Sequence, residues 1–359
     1  MTYKHLFFDD YSEGAHPRIL AALQRTNLQQ EPGYMVDSFA VEATRLIREK
    51  FNSPDADVHF VASGTQANLC VLSAILKPWE SVIAADSGHI NTHETGSIEA
   101  TGHKINVVKG RDGKVQPHEI QQMVEFHDFD QMVLPRTVYI SQSTELGTVY
   151  TTAELTALSE QCREHGLFLF VDGARLGAGL TARGGDLDPA TLARLVDVFY
   201  IGGTKNGALI GEAIVIVNPE LKNHFRFNLR QRGGLLAKGR AVSLQFQELF
   251  RDNLYFDIAR HANMLAQQLA AGIEKCGYRL FVDAPTNQVF PVFPNTVIEQ
   301  LQKDYGFHFW EKFDQEHSIV RLVTSWATEE SDVTGFLSDL QEIQGGTMTA
   351  GARPASLQG

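Results

Sequence analysis

Cysteine is scarce in this chain: three in 359 residues, at Cys70, Cys162 and Cys276. They lie far apart, are odd in number and form no CxxC pair, which excludes a disulfide framework and a structural zinc site. Cys70 and Cys162 fall inside helical patterns, where a thiol behaves as a small core residue. Long hydrophobic runs are missing too. The longest, 167–171 and 213–217, have the length of a strand and fall far short of a membrane-spanning helix, so no membrane partner is expected. The first residues, MTYKHLFFDDYSEGAHP, meet acids and glycine at once and lack the apolar stretch and cleavage site of a signal peptide; a cytoplasmic protein is expected. Positive charge is in deficit. The 31 Lys and Arg against 43 Asp and Glu give a formal charge of −12, which argues against nucleic acid as the main partner.

What is present is a globular composition, 43% hydrophobic and 21% charged, with length enough for a large α/β domain and a smaller one. Short β-rich runs alternate with helical patterns through the first two thirds. Strands are expected at 57–62, 81–85, 104–108, 137–141, 167–172, 198–202 and 213–217, with helices at 64–76, 152–165 and 189–195. Strands apolar on both faces, alternating with helices, indicate a mostly parallel sheet covered by helices. Beyond Arg240 the pattern changes to a long helical stretch, 241–275, then short strands at 278–282, 288–292 and 319–323 and a last helix over 329–340. The expected organisation is an amino-terminal segment (1–15), a large domain (16–240), a small α+β domain (241–344) and a disordered tail (345–359), rich in Gly, Ala and small polar residues.

Four places in the large domain could carry chemistry. At Ser63-Gly64-Thr65-Gln66-Ala67-Asn68 a strand turns into a helix, and free N–H groups at a helix start favour a phosphate; an ordinary N-cap explains the turn equally well on its own. Asp172 ends an apolar strand at the carboxyl edge, where open α/β sheets place their ligands, and needs a cation or donors there; Arg175, three residues on, is one such partner. Lys205 follows a buried strand among glycines and small polar residues. Desolvation and nearby positive charge would make its amine a nucleophile, whereas most lysines are surface residues. His89, with Glu94 five residues on, could stack on an aromatic cofactor or move protons, or face solvent. His93 beside Glu94 lacks a third ligand at metal spacing, so no metal is expected. Later, Arg321 could fork onto a substrate carboxylate from its strand, and the basic loop Arg230-Gln231-Arg232-Gly233-Gly234 to Lys238 could approach a phosphate or simply carry surface charge.

These pieces, in this order, resemble the aspartate-aminotransferase-type pyridoxal-phosphate enzymes, and more narrowly the threonine aldolase / β-eliminating lyase family. The likeness is carried by SGTQAN at 63–68, SGHINTHETG at 87–96, TELGTVY at 144–150, VDGARLG at 171–177, GGTKNGALIGEA at 202–213 and VRLVTSW at 320–326. It implies an α/β, pyridoxal-phosphate-dependent transferase-like fold: a large domain with a mostly parallel mixed sheet between helices, plus a smaller α+β domain. It implies that Ser63, Gly64, Thr65 and Thr204 hold the cofactor's phosphate, that His89 and Ala174 flank its ring, and that Asp172 meets the ring nitrogen. Lys205 would bond to its aldehyde, and Arg175 with Arg321 would grip the substrate carboxylate. Glu94 falls where the family has a carboxylate near the active site.

Three departures stand out. Asp9-Asp10 stands where family members often have Ser-Asp, so Ser12 or backbone groups are expected to help hold the substrate. Glu145 stands where one branch has a histidine near the substrate hydroxyl, and Leu236 where an arginine, often from a neighbouring subunit, meets the phosphate. Arg230, Arg232 or Lys238 could take that task. The activity implied is cleavage of L-threonine, L-allo-threonine or a related β-hydroxy-α-amino acid to glycine and an aldehyde, with His89, Glu94 or a water between them as base, in a homodimer or homotetramer. Alternatives are β-elimination, racemisation or transamination on the same cofactor, and a cofactor-binding protein without turnover. A nicotinamide dehydrogenase is disfavoured: Gly177-Ala178-Gly179-Leu180-Thr181-Ala182 matches GxGxxA but is followed by a poor helix former.

Overall fold

The computed structural model describes residues 3–351, with side chains to Gln344. Seven strands form one sheet in the order Asp57–Val61, Glu212–Ile216, Val198–Gly202, Phe168–Asp172, Leu134–Ser141, Glu80–Ala85 and Lys104–Val108. The last five are mutually parallel, while Glu212–Ile216 runs antiparallel to both of its neighbours. The four strands from Glu80, Phe168, Val198 and Glu212 are buried at every residue, as continuous apolar runs covered on both faces require. One apolar core on one face includes Ile83, Val138, Leu169, Val171, Phe199 and Val215; the other face packs Val82, Tyr139, Phe170, Tyr200 and Ile214 against the helix Gly64–Ile75. This alternation of neighbours along each strand is the period of two made visible.

The carboxyl ends of five strands (those ending at Val61, Ala85, Ser141, Asp172 and Gly202) come to one edge of the sheet. The reversed strand begins at that edge, because Gly202 pairs with Glu212 and the nine residues between them fold back as a tight loop. Glycine is required there: a Cβ on Gly203 would lie 2.6 Å from the Gly211 carbonyl oxygen, and Gly211 has φ 118° with a virtual Cβ 2.3 Å from Val242.

The expected helix over 241–275 is two helices, Arg240–Phe250 and Leu254–Lys275, separated at Arg251–Asn253. Asp252 and Asn253 adopt φ of 56° and 60°, a left-handed geometry that short polar side chains tolerate. The second helix begins in the large core, through Leu254, Tyr255 and Ile258, and ends in a separate core with Leu265, Leu269 and Ile273. Its 22 residues, about 33 Å, span the two. In that second core His317–Val323 is the central strand, flanked by Val292–Pro294 and His308–Lys312, with Gln288–Val289 on its end. The expected strand 288–292 is interrupted at Pro291, which has no N–H to donate, and 278–282 makes a single bridge, Leu280 to Pro291, rather than a strand.

The amino-terminal segment joins this second core. His5–Leu6 pairs in parallel with Tyr305–Gly306, and Phe7 is fully buried among Tyr305, Phe336 and their neighbours. The last helix, Glu330–Gly351, continues into the expected disordered tail; residues 352–359 lie outside the described residues. No helix among the described residues is long and apolar enough to cross a membrane.

Candidate active site

A cavity of about 960 Å³ opens over the carboxyl edge of the sheet, between it and the strand carrying Arg321. Ser63, Gly64, Thr65, His89, Glu145, Asp172, Ala174, Arg175, Thr204, Lys205 and Arg321 all line it, so residues spread over 259 positions meet in one place.

At one end the helix Gly64–Ile75 starts with Ser63 as N-cap, its Oγ accepting from the Gln66 N–H at 3.2 Å. The N–H groups of Gly64 and Thr65, first in the helix, meet no acceptor among the described residues, which is the arrangement that receives an anion. Beside them Thr204 Oγ1 accepts from the Gly211 N–H at 3.0 Å.

Asp172 is held at the floor by four donors. Its Oδ1 accepts from the Tyr200 hydroxyl (2.5 Å) and the Ala174 N–H (2.9 Å). Its Oδ2 accepts from Asn68 Nδ2 (3.1 Å) and from the Tyr139 hydroxyl. It does not pair with Arg175. Asn68 also donates to Glu94 Oε1 at 2.7 Å, tying the two carboxylates together. None of Asn68, Tyr139 and Tyr200 was singled out from sequence. Asn68 carried a signal, as a polar residue on the buried stripe of its helix with Ala67, Cys70 and Val71.

His89 opens the short helix His89–Thr92 after the strand Glu80–Ala85, its Nδ1 2.8 Å from Glu94 Oε1. Burial pulls the imidazole pKa down, but the Glu94 hydrogen bond and the Asp172 charge more than offset it and hold it above the ordinary value. Glu94 does not line the cavity. Its side chain is fully buried behind His89, with Ser97 Oγ donating to its other oxygen at 2.6 Å. Glu145 accepts from the Ser141 hydroxyl (2.9 Å) and the His89 N–H (3.1 Å); burial and then the Asp172 charge raise its pKa.

Lys205 has no hydrogen-bond or ion-pair partner among the described residues; its Nζ lies 5.9 Å from the centre of the Tyr11 ring. Burial first, and then the Arg175 guanidinium, hold its amine below the ordinary lysine pKa. Such an amine spends more time unprotonated and nucleophilic. Glu212, also missed from sequence, opens the reversed strand and accepts from the Gly203 N–H at 2.8 Å; burial pushes its carboxyl up to about 8.

At the far end both arginines are met by the amino-terminal segment. Arg175 makes a two-pronged ion pair with Asp10 (2.7 and 3.1 Å), and Arg321 reaches Asp9 at 2.9 Å, which His308 also touches at 3.2 Å. Three further expected residues stay outside the cavity with Glu94. Ser12 is exposed, with its hydroxyl turned back to the Asp9 carbonyl at 3.3 Å; Tyr11 lines the cavity instead. Arg232 accepts from Gln66 Nε2 at its backbone carbonyl (3.1 Å), and its side-chain Nε is buried without a partner among the described residues. Lys238 is exposed on the outer surface of the same loop.

The beta-eliminating lyase family model matches residues 29–295. The chain belongs to the beta-eliminating lyase family. Within it, the chain is 32% identical over 338 residues to a low specificity L-threonine aldolase of Pseudomonas sp. (strain NCIMB 10558), covering 93% of this chain and 96% of the relative. A solved threonine aldolase of Leishmania major superposes with a TM-score of 0.94 at 46% identity, over 95% of this chain and 99% of that one. An aspartate aminotransferase of Thermus thermophilus, 16% identical, superposes with a TM-score of 0.70 over 95% of this chain and 92% of that one, a likeness of fold alone. The fold is thus the aspartate-aminotransferase type, and this beta-eliminating lyase keeps its candidate chemistry at the sheet edge where that fold opens.

Proposed function

We propose that this lyase is a pyridoxal-phosphate-dependent aldolase that cleaves L-threonine, L-allo-threonine or a related β-hydroxy-α-amino acid to glycine and an aldehyde. The observation that carries the reading is the unpaired, pKa-depressed amine of Lys205 in a cavity with a donor-bound carboxylate, Asp172, on its floor and two arginines at its far end. Similarity over nearly the full length to two proteins named threonine aldolases supports the substrate class.

The residues fit the cofactor. Gly64 and Thr65 offer free N–H groups for its phosphate, with the Thr204 hydroxyl beside them; Lys205 offers the amine, and Asp172 an acceptor for a ring N–H. A side chain at position 64 would place its Cβ 2.8 Å from the Tyr200 hydroxyl, so only glycine keeps that approach open. When bound, pyridoxal phosphate supplies an electron sink for a bond broken at Cα. The chain's residues choose the bond. Arg321 and Arg175 fix the substrate carboxylate, which leaves the Cα–Cβ bond to be aligned by the walls around it. Ala174 and His89 both line the cavity and are proposed to confine the cofactor ring between them.

The loop 230–238 is proposed to serve the neighbouring copy in a homodimer or homotetramer, which gives exposed Lys238 a task that it cannot perform in its own cavity. Three free, buried cysteines accord with the cytoplasm. The test is aldehyde release by the purified protein supplied with pyridoxal phosphate, on L-threonine, L-allo-threonine, phenylserine and serine. Aldehyde together with glycine is expected, and Lys205→Ala should lose both the release and the cofactor's visible absorption. A 2-oxo acid with ammonia, racemised substrate or no product from every one of these would overturn the assignment.

A further inference from the structure

His93 stands in the same cavity wall as His89, one helical turn along, and nothing above gives it a task. The two rings lie nearly parallel, 18° apart with centres separated by 5.6 Å, and His93 is the exposed member of the pair. Thr92 favours one tautomer. Its hydroxyl, with a single proton, lies 3.2 Å from the Gly88 carbonyl and 2.5 Å from His93 Nδ1. Both contacts are hydrogen bonds only in the tautomer whose Nδ1–H donates to Thr92 Oγ1. With Nδ1 carrying the proton, Nε2 of the neutral ring has its lone pair free.

We propose that His93 is the catalytic base that takes the proton of the substrate's β-hydroxyl. This rests on the aldolase reading above. The other candidates are engaged. His89 is paired through Nδ1 with Glu94, which helps hold its pKa above the ordinary value. Glu94 faces Asn68, Ser97 and His89 from full burial. Glu145 is half-buried in the cavity wall, with its Oε1 bound by Ser141 and the His89 N–H. His93 is exposed, and only its Nδ1 is hydrogen-bonded among the described residues. Burial, then the charges of His89, Arg321 and Lys205, lower its pKa, and all three of those groups line the same cavity. The other charged groups lining the cavity with it are Arg175, Asp9, Asp172, Glu145, Glu212, His308 and Glu311.

In the step itself Nε2 receives the hydroxyl proton, and the O–H electron pair becomes the second bond of the aldehyde carbonyl as Cα–Cβ breaks. The electrons of that bond stay with the glycine half, which later gains one proton, so His93 returns to neutral by releasing the one it took. Glycine lacks a β-hydroxyl, and this separates the role of His93 from every step at Cα.

The experiment compares His93→Ala and His93→Asn with wild type, each loaded with pyridoxal phosphate. Two reactions are read: aldehyde release from L-threonine, and exchange of the glycine α-proton in deuterated water. We expect kcat/KM for aldehyde release to fall about 100-fold or more in both variants, the range of one general base, with glycine exchange within about threefold of wild type. Release within about threefold of wild type in either folded variant overturns the proposal. Equal loss of release and exchange also overturns it, since the residue would then serve the cofactor or the fold. A third readout needs no turnover: in the cofactor-free protein the His93 ring resonance, assigned by its absence in the Asn variant, should titrate below the ordinary 6.5. Titration well above about 7 would leave the ring mostly cationic at neutral pH and overturn the proposal. A wild type that exchanges glycine but releases no aldehyde would instead defeat the aldolase reading.

Discussion

Glu212 opens the reversed strand with its carboxyl buried against the Gly203 N–H, and burial pushes its pKa from 4.5 up to about 8. An unfolded chain ionises this group near the lower value, while the folded chain keeps the proton. Between the two values the folded state therefore binds more protons, and the contribution to stability falls as pH rises from about 4.5 and is fully lost above about 8. Glutamine keeps the acceptor for Gly203 without this liability. In cofactor-free protein, Glu212→Gln should match wild type near pH 4.5 and become progressively more stable than it up to pH 8, by an amount of order a few kcal/mol. Thermal melts at several pH values measure it; a gap independent of pH would show that the carboxyl is already ionised in the fold. The neighbouring Lys205 amine shows the same force acting with the opposite sign, burial lowering its pKa.

At the scale of elements, the amino-terminal segment acts as a strap across the two cores. Its residues 5–6 extend the small sheet's side of the molecule, Phe7 is packed there, and Asp10 then crosses to Arg175 at the end of a strand of the large sheet. Asn287 adds a hydrogen bond to Asp10 at 2.9 Å. Burial acts to raise the Asp10 pKa, but the charges of Arg175 and Lys205 and the two side-chain hydrogen bonds outweigh it, and the net shift is downward. The pair thus stabilises the fold above the ordinary aspartate value of 3.8, and that stabilisation is lost as pH falls through the lower folded value. Asp10→Asn leaves a buried guanidinium without its carboxylate and should cost about 3–5 kcal/mol at neutral pH. Denaturant titrations should show the gap to wild type closing in acid, below about pH 3.8. A variant as stable as wild type at pH 7 would mean that Arg175 finds another partner.

For the whole molecule, apolar side chains left on the surface mark the face on which the proposed homo-oligomer would form. Leu28, Val41 and Phe227 are 92%, 66% and 75% exposed. The segment around Tyr34 and Met35 packs against Ala237 and Gly239, and Arg226 and Arg230 contact Tyr34, so the exposed Phe227 helix and the 28–41 segment form one region beside the loop 230–238. Sedimentation of the wild type should give a dimer or tetramer despite a formal charge of −12. Val41→Asp combined with Phe227→Asp should shift it toward monomer and weaken retention of pyridoxal phosphate, read by cofactor loss on dialysis. A wild type that sediments as a monomer and retains the cofactor would remove the case for a shared site.

Much of this was legible in the chain itself. The strands 104–108 and 198–202 and the helix 189–195 fall where they were expected, because short runs rich in β-branched and aromatic residues mark the strands and the Asp188 cap with Pro189 in the first turn marks the helix. Lys205, Asp172, His89 and Ser63–Thr65 stood out because each follows a strand, and in a parallel sheet all such ends come to one edge. What sequence could not determine was which polar groups would face one another once there. Tyr139 and Tyr200 read as ordinary β-formers until the sheet sets them beside Asp172. Asp10 meets Arg175 across 165 positions, and Arg232 stands outside the cavity, touching Gln66 only through its backbone carbonyl. Partners, burial and the resulting pKa values depend on distances between segments remote in the chain, and those exist only when the strands are laid side by side.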